Sequence, residues 1–395
     1  MSDHTRKLVP FDRSRRQPDP ARVEEFAATA RRLQQERDAA DVVERALKDT
    51  PRFDWPRLVE REELRTSGVV ERLAKIADSL ERDPQEGLAV AQLATSLADA
   101  IDDAAYPRVV TAQLRAHAWK DLARAFCYLS RYEESLGALD RADAYMESFG
   151  TLAHDRAIVR FVRSIVLQHL RRFDEAQALL AECRVVFRDH GDTRRYGKCV
   201  LASANLLVRR GDHAAARDLL MHFLASADGD AYAIACSTLG WCALHLGHAA
   251  EALEHFTSAM ERFGKLDWEL ECVRASYGAG CALLRLGRLD EAIEKLDAAR
   301  ERFTARALVE EAGLSGLEIV EALLLREEVD DARALAAKLV QEFTAARLNR
   351  RAVAALAYLH DAMTASSATP EIVRSVHAYI SALRIDPTRE FSAAN

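Results

Sequence analysis

Three stretches of this chain superimpose at a fixed offset of 40 residues. Gly240, Gly247, Ala252, Phe256, Ala259 and Phe263 recur as Gly280, Gly287, Ala292, Leu296, Ala299 and Phe303, and Ala332, Leu339 and Phe343 continue the series. A unit of this size cannot bury its own apolar face, so it must stack on a copy of itself, and the period marks a helical solenoid rather than a compact enzyme domain. A length of 395 residues would ordinarily suggest two or three globular domains, but a solenoid core grows along one axis and escapes that estimate. With 49% apolar and 30% charged residues, and only 9 Pro and 16 Gly, the composition suits long amphipathic helices with few interruptions, and an all-α fold is expected.

From about residue 111 each unit reads as a helix A, a short turn, a helix B and a connection. Helix A of one unit carries Trp119, Leu122, Ala123 and Phe126, its turn lies around 130–132, and helix B carries Ser135, Leu139 and Ala142. These spacings fit two antiparallel helices with facing apolar stripes. Further units follow, with Phe161, Leu167, Phe173, Ala176, Leu180 and Phe187, then Ala204, Leu207, Gly211, Ala216, Leu220 and Phe223. Two Gly-marked units come next, and the sixth carries Leu317, Leu324, Ala332, Leu335, Leu339 and Phe343. Ala or Gly at the small slots lets the A and B backbones approach. Gly211, Gly247 and Gly287 sit where helix A should end, at a position that favours left-handed backbone.

Outside the clear units, residues 21–48 read as one amphipathic helix, followed by an extended break over 50–56. Residues 58–82 and 85–101 read as a degenerate helix pair, with Pro84 opening the second helix. Residues 351–364 and 370–383 form a last pair, in which Thr369 can cap and Pro370 opens the helix. The domain reading is a disordered basic arm at 1–20, an N-terminal helical capping module at 21–110, the repeat solenoid at 111–345, and a C-terminal helical cap and tail at 346–395.

Trp119-x-x-Leu122-Ala123-x-x-Phe126 followed by Leu139 and Ala142, and Leu239-Gly240, Gly247, Ala252, Phe256 and Ala259, resemble the tetratricopeptide repeat pattern over roughly residues 111–345. The resemblance implies a right-handed helical solenoid of about six antiparallel helix pairs with helical caps at both ends. Ser135 departs from the pattern, and the family's proline near the end of helix B is missing from every unit. The period is about 40 rather than 34, so the chain is similar to the long-repeat branch that includes bacterial regulatory sensors and kinesin light chains.

Charge and motifs exclude more chemistry than they suggest. With 62 acidic against 55 basic residues and a formal charge of −7, the surface is mixed and nucleic acid is not the expected partner. The exception is the N-terminal arm, where Arg6, Lys7, Arg13, Arg15 and Arg16 face only Asp3 and Asp12; such an arm can touch phosphate or an acidic partner, or simply be a solvated tail. Seven cysteines without a C-x-x-C pair read as reduced core thiols. The absence of an apolar leader or of an 18-residue apolar window predicts a cytoplasmic protein with no membrane association. No Gly-rich phosphate loop occurs. His245, His248 and His255 lack the further ligands of a metal set, and Cys127, Cys236 and Cys281 lack a base at a compelling spacing. No catalytic residue, metal or cofactor is therefore assigned.

In such a solenoid the A helices line a groove in which peptides lie. Carrying over the groove positions of the resembled family gives Lys120, Arg124 and Tyr128; Phe161, Ile165 and His169; Lys198, Leu201, Asn205 and Arg209; Ser237, Trp241 and His245; Tyr277, Cys281 and Arg285; and Leu317, Glu321 and Leu325. Phe161, Ile165, Leu201 and Leu317 read equally well as core, whereas aromatics beside cations suit an amphipathic or acidic peptide. The expected function is a non-enzymatic scaffold or regulatory adaptor for a protein or peptide partner. The alternatives are a ligand- or peptide-gated sensor acting through another protein and, third, a hydrolase or transferase using the His and Cys residues.

Overall fold

The computed structural model describes residues 20–79, 83–383 and 386–391; of the basic arm expected at 1–20, all but Pro20, the first residue of the first helix, lies outside them. The described residues contain eighteen α-helices and no strand, and they fall into two compact units that divide after Gly191.

In the first unit α1 (Pro20–Ala39) and α2 (Val42–Asp49) are followed by two 3₁₀ segments, Arg52–Glu60 and Glu62–Leu64, and then by α3 (Ser67–Ser79) and α4 (Pro84–Asp99). Two differences from the sequence reading have local causes. The single helix expected over 21–48 breaks at Ala40 and Asp41, and the helix expected from 58 begins only at Ser67. Pro56 sits inside the intervening 3₁₀ segment, where its missing N–H and fixed φ favour tight turns over a continuous α-helix. Trp55 pins that segment, its indole N–H donating to the carbonyls of Leu47 and Thr50. Tyr106 donates to Glu36 Oε2 at 2.5 Å and Ser67 Oγ donates to it at 2.7 Å. Burial opposes the charge on Glu36, but these donors hold its carboxyl below the ordinary range. Asp83 caps α4 by accepting from the Glu86 N–H, so Pro84 opens that helix as its sequence position implied. The pairs α5 (Arg108–Tyr128) with α6 (Tyr132–Met146) and α7 (Ala153–His169) with α8 (Phe173–Asp189) complete the unit.

The second unit contains α9 (Thr193–Arg209), α10 (His213–Leu224), α11 (Gly229–His245), α12 (Ala249–Lys265), α13 (Glu269–Arg285), α14 (Leu289–Ala305), α15 (Val309–Leu325) and α16 (Val329–Ala345), then α17 (Arg350–Thr364) and α18 (Pro370–Leu383). Helices α11, α13 and α15 start at 229, 269 and 309 and each has 17 residues, so the sequence period is the structural period. Phe256, Phe263, Phe303 and Phe343 from successive B helices are fully buried. The small slots are filled by these large residues: a Cβ on Gly278 would lie 2.4 Å from the Phe256 ring, and one on Gly240 would lie 2.7 Å from it.

Every A-to-B turn places one residue in left-handed backbone. Gly211, Gly247 and Gly287 do so at φ of 82°, 81° and 74°, while Ser130, Arg171 and Glu327 adopt the same geometry without being glycine. At Gly247 the His248 N–H donates to Ala243 O at 2.8 Å and the Gly247 N–H to Leu244 O at 3.1 Å, the double bond of a Schellman closure. The acidic pairs that open the B helices do more than complement the helix dipole: Glu134, Glu175 and Glu291 are each paired with an arginine three residues earlier, Arg131, Arg172 and Arg288. Ser135, the departure from the repeat pattern, is buried and donates to Ala123 O at 2.7 Å.

The last pair departs from the repeat at its second helix. Helix α17 packs on the B helix α16 as α13 packs on α12 and α15 on α14, but α18, in the place of a B helix, packs on the A helix α15. The chain beyond α18 returns to α17, where Asn349 donates to Pro387 O and the Phe391 ring lies edge-on to Tyr358 and Tyr379.

Candidate functional site

The A helices of the second unit present matching positions to one face. Asn205, Trp241, Cys281 and Glu321 occupy one register along α9, α11, α13 and α15, and their exposure falls in that order: Asn205 is exposed, Trp241 half-buried, Cys281 5% and Glu321 1% exposed. The register Leu201, Ser237, Tyr277 and Leu317 likewise ends fully buried at Leu317. Arg209, His245, Arg285 and Leu325 form the outer register and are exposed throughout. At the C-terminal end of the row α18 lies on α15 and covers Leu317 and Glu321, whereas Cys281 is buried in an apolar cluster with Leu284, Ile319 and Ala322 of α13 and α15.

At the open end Lys198, Asn205 and Arg209 are exposed on α9. The Trp241 ring stands edge-on to Phe256 at 5.2 Å and lies 5.7 Å from Tyr277. His245 stacks on His213 with ring centroids 4.1 Å apart; burial, and for His245 also the neighbouring His213, holds both imidazoles below their usual basicity. His248 and His255 turn instead toward Glu251, so the three histidines do not converge, and among the described residues no group of three potential ligands could hold a metal ion.

At the covered end the same face carries an ionic cluster in which two buried carboxylates meet two solvent-exposed arginines. Arg285 contacts Glu321 Oε1 at 2.6 Å and Glu318 Oε2 at 3.1 Å. From α18, Arg374 reaches the same Glu321 oxygen at 2.6 Å and His377 lies 3.5 Å from Glu318. The Tyr277 hydroxyl and His377 Nε2 share a hydrogen bond at 3.0 Å. Burial pushes the Glu318 carboxyl up to about 7 against the pull of Arg285, and burial together with Arg285 holds His377 down to about 4. Burial also raises Tyr277 and Cys281 well above their ordinary values, the opposite of what activates a thiol nucleophile.

Tyr277, Arg285 and Glu321, read from sequence as part of a peptide surface, thus contact the chain's own last helix or the cluster beneath it. The partners of that cluster, Glu318, Arg374 and His377, were missed. A signal existed: Glu318 and Glu321 are the only ionisable carboxyl or basic side chains between Ala312 and Leu325, and Arg374-x-x-His377 supplies a cation and an imidazole at the matching one-turn spacing.

The groove positions of the first unit are arranged differently. Lys120 is paired with Asp121 and Arg124 with Asp78, which neutralises both cations within the unit. Tyr128 is 56% exposed, Phe161 half-buried, and His169 stacks on Tyr132 at 5.1 Å. A cavity of about 520 Å³ lies among α1, α3 and α5, with Leu33, Val70 and Leu114 on its apolar walls and Arg37, Lys75 and His117 among its polar ones. No helix among the described residues is long and apolar enough to cross a membrane.

Neither a scan against protein-family models nor a search of curated proteins finds a match. Solved structures do match in fold. The apo quorum sensor NprR from Bacillus thuringiensis aligns at 14% identity over 87% of this chain and 99% of its own, with a TM-score of 0.54. Aspartyl phosphate phosphatase F from Bacillus subtilis aligns at 12% identity over 92% of this chain and 93% of its own, with a TM-score of 0.50. A signal-transduction ATPase with a tetratricopeptide repeat sensor from Pyrococcus horikoshii aligns at 11% identity over 90% of this chain and 54% of its own, with a TM-score of 0.59. The chain is a tetratricopeptide-like helical solenoid.

Proposed function

We propose that this protein is a regulatory adaptor that takes a peptide or helix of a partner protein on the A-helix face of its second unit, at the open end formed by Lys198, Asn205, Arg209, Trp241 and His245. The observation that carries this reading is α18 itself. One helix already lies on this face at α15, while on α9 and α11 the equivalent face leaves Lys198, Asn205, Arg209 and His245 exposed and Trp241 half-buried. A surface that accommodates an amphipathic helix at one end offers the same spacing of residues at the other. Trp241 supplies a large anchor, and the cations on α9 favour a segment with an acidic flank. That fold neighbours include a quorum sensor and a repeat sensor agrees with a regulatory role, and we assign no catalysis to the chain. In the division we favour, residues 21–110 cap the repeats of 111–345 and 346–395 close them.

The test is a display library of helical peptides selected on the intact chain. Binders enriched on the parent should lose about tenfold or more in affinity to Trp241→Ala and to Lys198→Glu/Arg209→Glu at unchanged helicity. Retention of full affinity by both variants would remove this face from consideration. The cavity among α1, α3 and α5 favours a second reading, a sensor gated by a small ligand, because its volume lies within the range of ligand pockets. A ligand-dependent rise in thermal midpoint abolished by Leu114→Trp would support that reading, and invariance across a metabolite panel would refute it.

A further inference from the structure

We propose that the face of α13 and α15 is a receptor for an amphipathic helix with an arginine and a histidine one turn apart, that α18 is its resident occupant, and that a partner helix with the same pair exchanges with α18 there. The proposal deepens the reading of the A-helix row as a helix-binding surface, but its test requires no natural partner.

Helix α18 has two functional sides. Val373, Val376, Ile380 and Leu383 are buried in the apolar core shared with α15, α16 and α17. The other side sets Arg374 and His377 against Glu321, Glu318 and Tyr277. Sealing the end of a repeat stack requires only the first side. The pair between buried Glu321 and solvent-exposed Arg374 adds little net stability, since desolvation of the carboxylate and solvent screening of the arginine offset the Coulomb attraction, and well-packed apolar residues would serve as well or better. What the charged side does supply is selection: a helix without a cation opposite Glu321, or displaced by one residue, leaves a carboxylate buried beside too few partners.

The same arithmetic makes departure inexpensive on that side. When α18 lifts, Glu318 and Glu321 regain water and keep Arg285, which reaches both from α13. The titratable and charged groups in and around the cluster are Tyr277, Cys281 and Arg285 from α13, Glu318 and Glu321 from α15, and Glu371, Arg374 and His377 from α18, Glu371 pairing with Arg374. Only these α18 groups leave with it, and of them Arg374 and His377 meet the face. An incoming helix that restores them satisfies the face as fully as α18 does, and it competes against a tethered helix whose effective concentration is in the millimolar range.

A fluorescent synthetic peptide spanning residues 366–391 is titrated into the full chain and into full-chain Arg374→Glu/His377→Ala, in which the tethered helix is weakened. The parent should bind weakly and the variant about tenfold or more tightly, because its competent state is more populated. A peptide carrying Arg374→Glu should bind neither. No gain in affinity by a variant that keeps the parent's helicity overturns the proposal. Should the variant lose helicity, hydrogen exchange on the unmodified chain decides: reversible departure predicts protection at 373–383 about tenfold or more below that of α15, and equal protection in the two helices overturns it. Either failure leaves the Trp241 test untouched, so the two readings fall separately.

Discussion

Replacing Glu318 by glutamine should alter the pH dependence of stability around α15 far more than its value in acid. A carboxyl with an ordinary value of 4.5 and a folded value of about 7 favours folding when protonated. Its contribution is fully present below 4.5 and is lost as pH rises through 7, by about 3 kcal/mol over that window. His377 runs the other way. With an ordinary value of 6.5 and a folded value of about 4, its contribution is present above 6.5 and lost as pH falls through 4, again by about 3 kcal/mol. Between 4.5 and 6.5 the folded state gains a proton on one group and releases one from the other, so the two slopes oppose and the parent is insensitive to pH at this site.

Glutamine keeps the shape of the protonated carboxyl and removes only one of the two slopes. In Glu318→Gln, stability relative to the parent should therefore grow with pH, reaching about 3 kcal/mol in favour of the variant at pH 7.5 compared with pH 4.5. His377→Gln should show the mirror image, losing ground to the parent as pH rises from 4 to 6.5. Repeat arrays can unfold in stages, so the assay is hydrogen exchange at α15 and α18 amides across this range, corrected for the intrinsic pH dependence of exchange. A flat difference between Glu318→Gln and the parent would refute the reasoning, because it would mean the carboxyl is as ionised in the folded chain as in water.

Two further outcomes test the packing on which the site rests. Gly313→Ala places a methyl 2.0 Å from the Phe343 ring and should cost about 1–3 kcal/mol, whereas Gly137→Ala meets nothing within 4 Å inside α6 and should stabilise by about 0.5–1 kcal/mol; thermal melts of the pair check both signs. At the turns, Gly247→Ala should destabilise by about 1 kcal/mol. Ala307→Gly and Arg171→Gly, at φ of 57° and 60°, should be neutral or stabilising by a similar amount in denaturant titrations.

Most of the architecture was legible because each level of the sequence repeats the same instruction. The 40-residue offset, the glycine at the end of helix A and the alternation of Phe256 and Phe303 with small residues all describe one packing unit, and α11 to α16 follow it residue for residue. The N-terminal module was less legible because tertiary pins replace periodicity there. Trp55 bonding to Leu47 and Thr50, and Tyr106 bonding to Glu36, join residues whose spacing carries no signature. The positions expected to line a groove share one register, but their exposure does not follow from it: Glu321 has the same address as Asn205 and Trp241 and is buried for a reason that lies 50 residues or more away in α18.

That reason turns on how a terminal helix pair chooses its order. Helices α17 and α18 are both amphipathic, with Ala355, Leu356 and Leu359 on one and Val373, Val376 and Ile380 on the other, so apolar burial alone permits either to lie on α15. The charges break the tie. Glu318 and Glu321 project from the face of α15 that the terminal pair covers, and only α18 brings a cation and an imidazole one turn apart to meet them. With α17 in that place, Ala355 and Leu356 would face two carboxylates and leave them buried against Arg285 alone, at a cost of several kcal/mol. The cluster therefore specifies which helix closes α15 more than it stabilises the fold, and the Arg374-x-x-His377 spacing against Glu318-x-x-Glu321 is the sequence rule that would identify the same closure in another chain of this architecture.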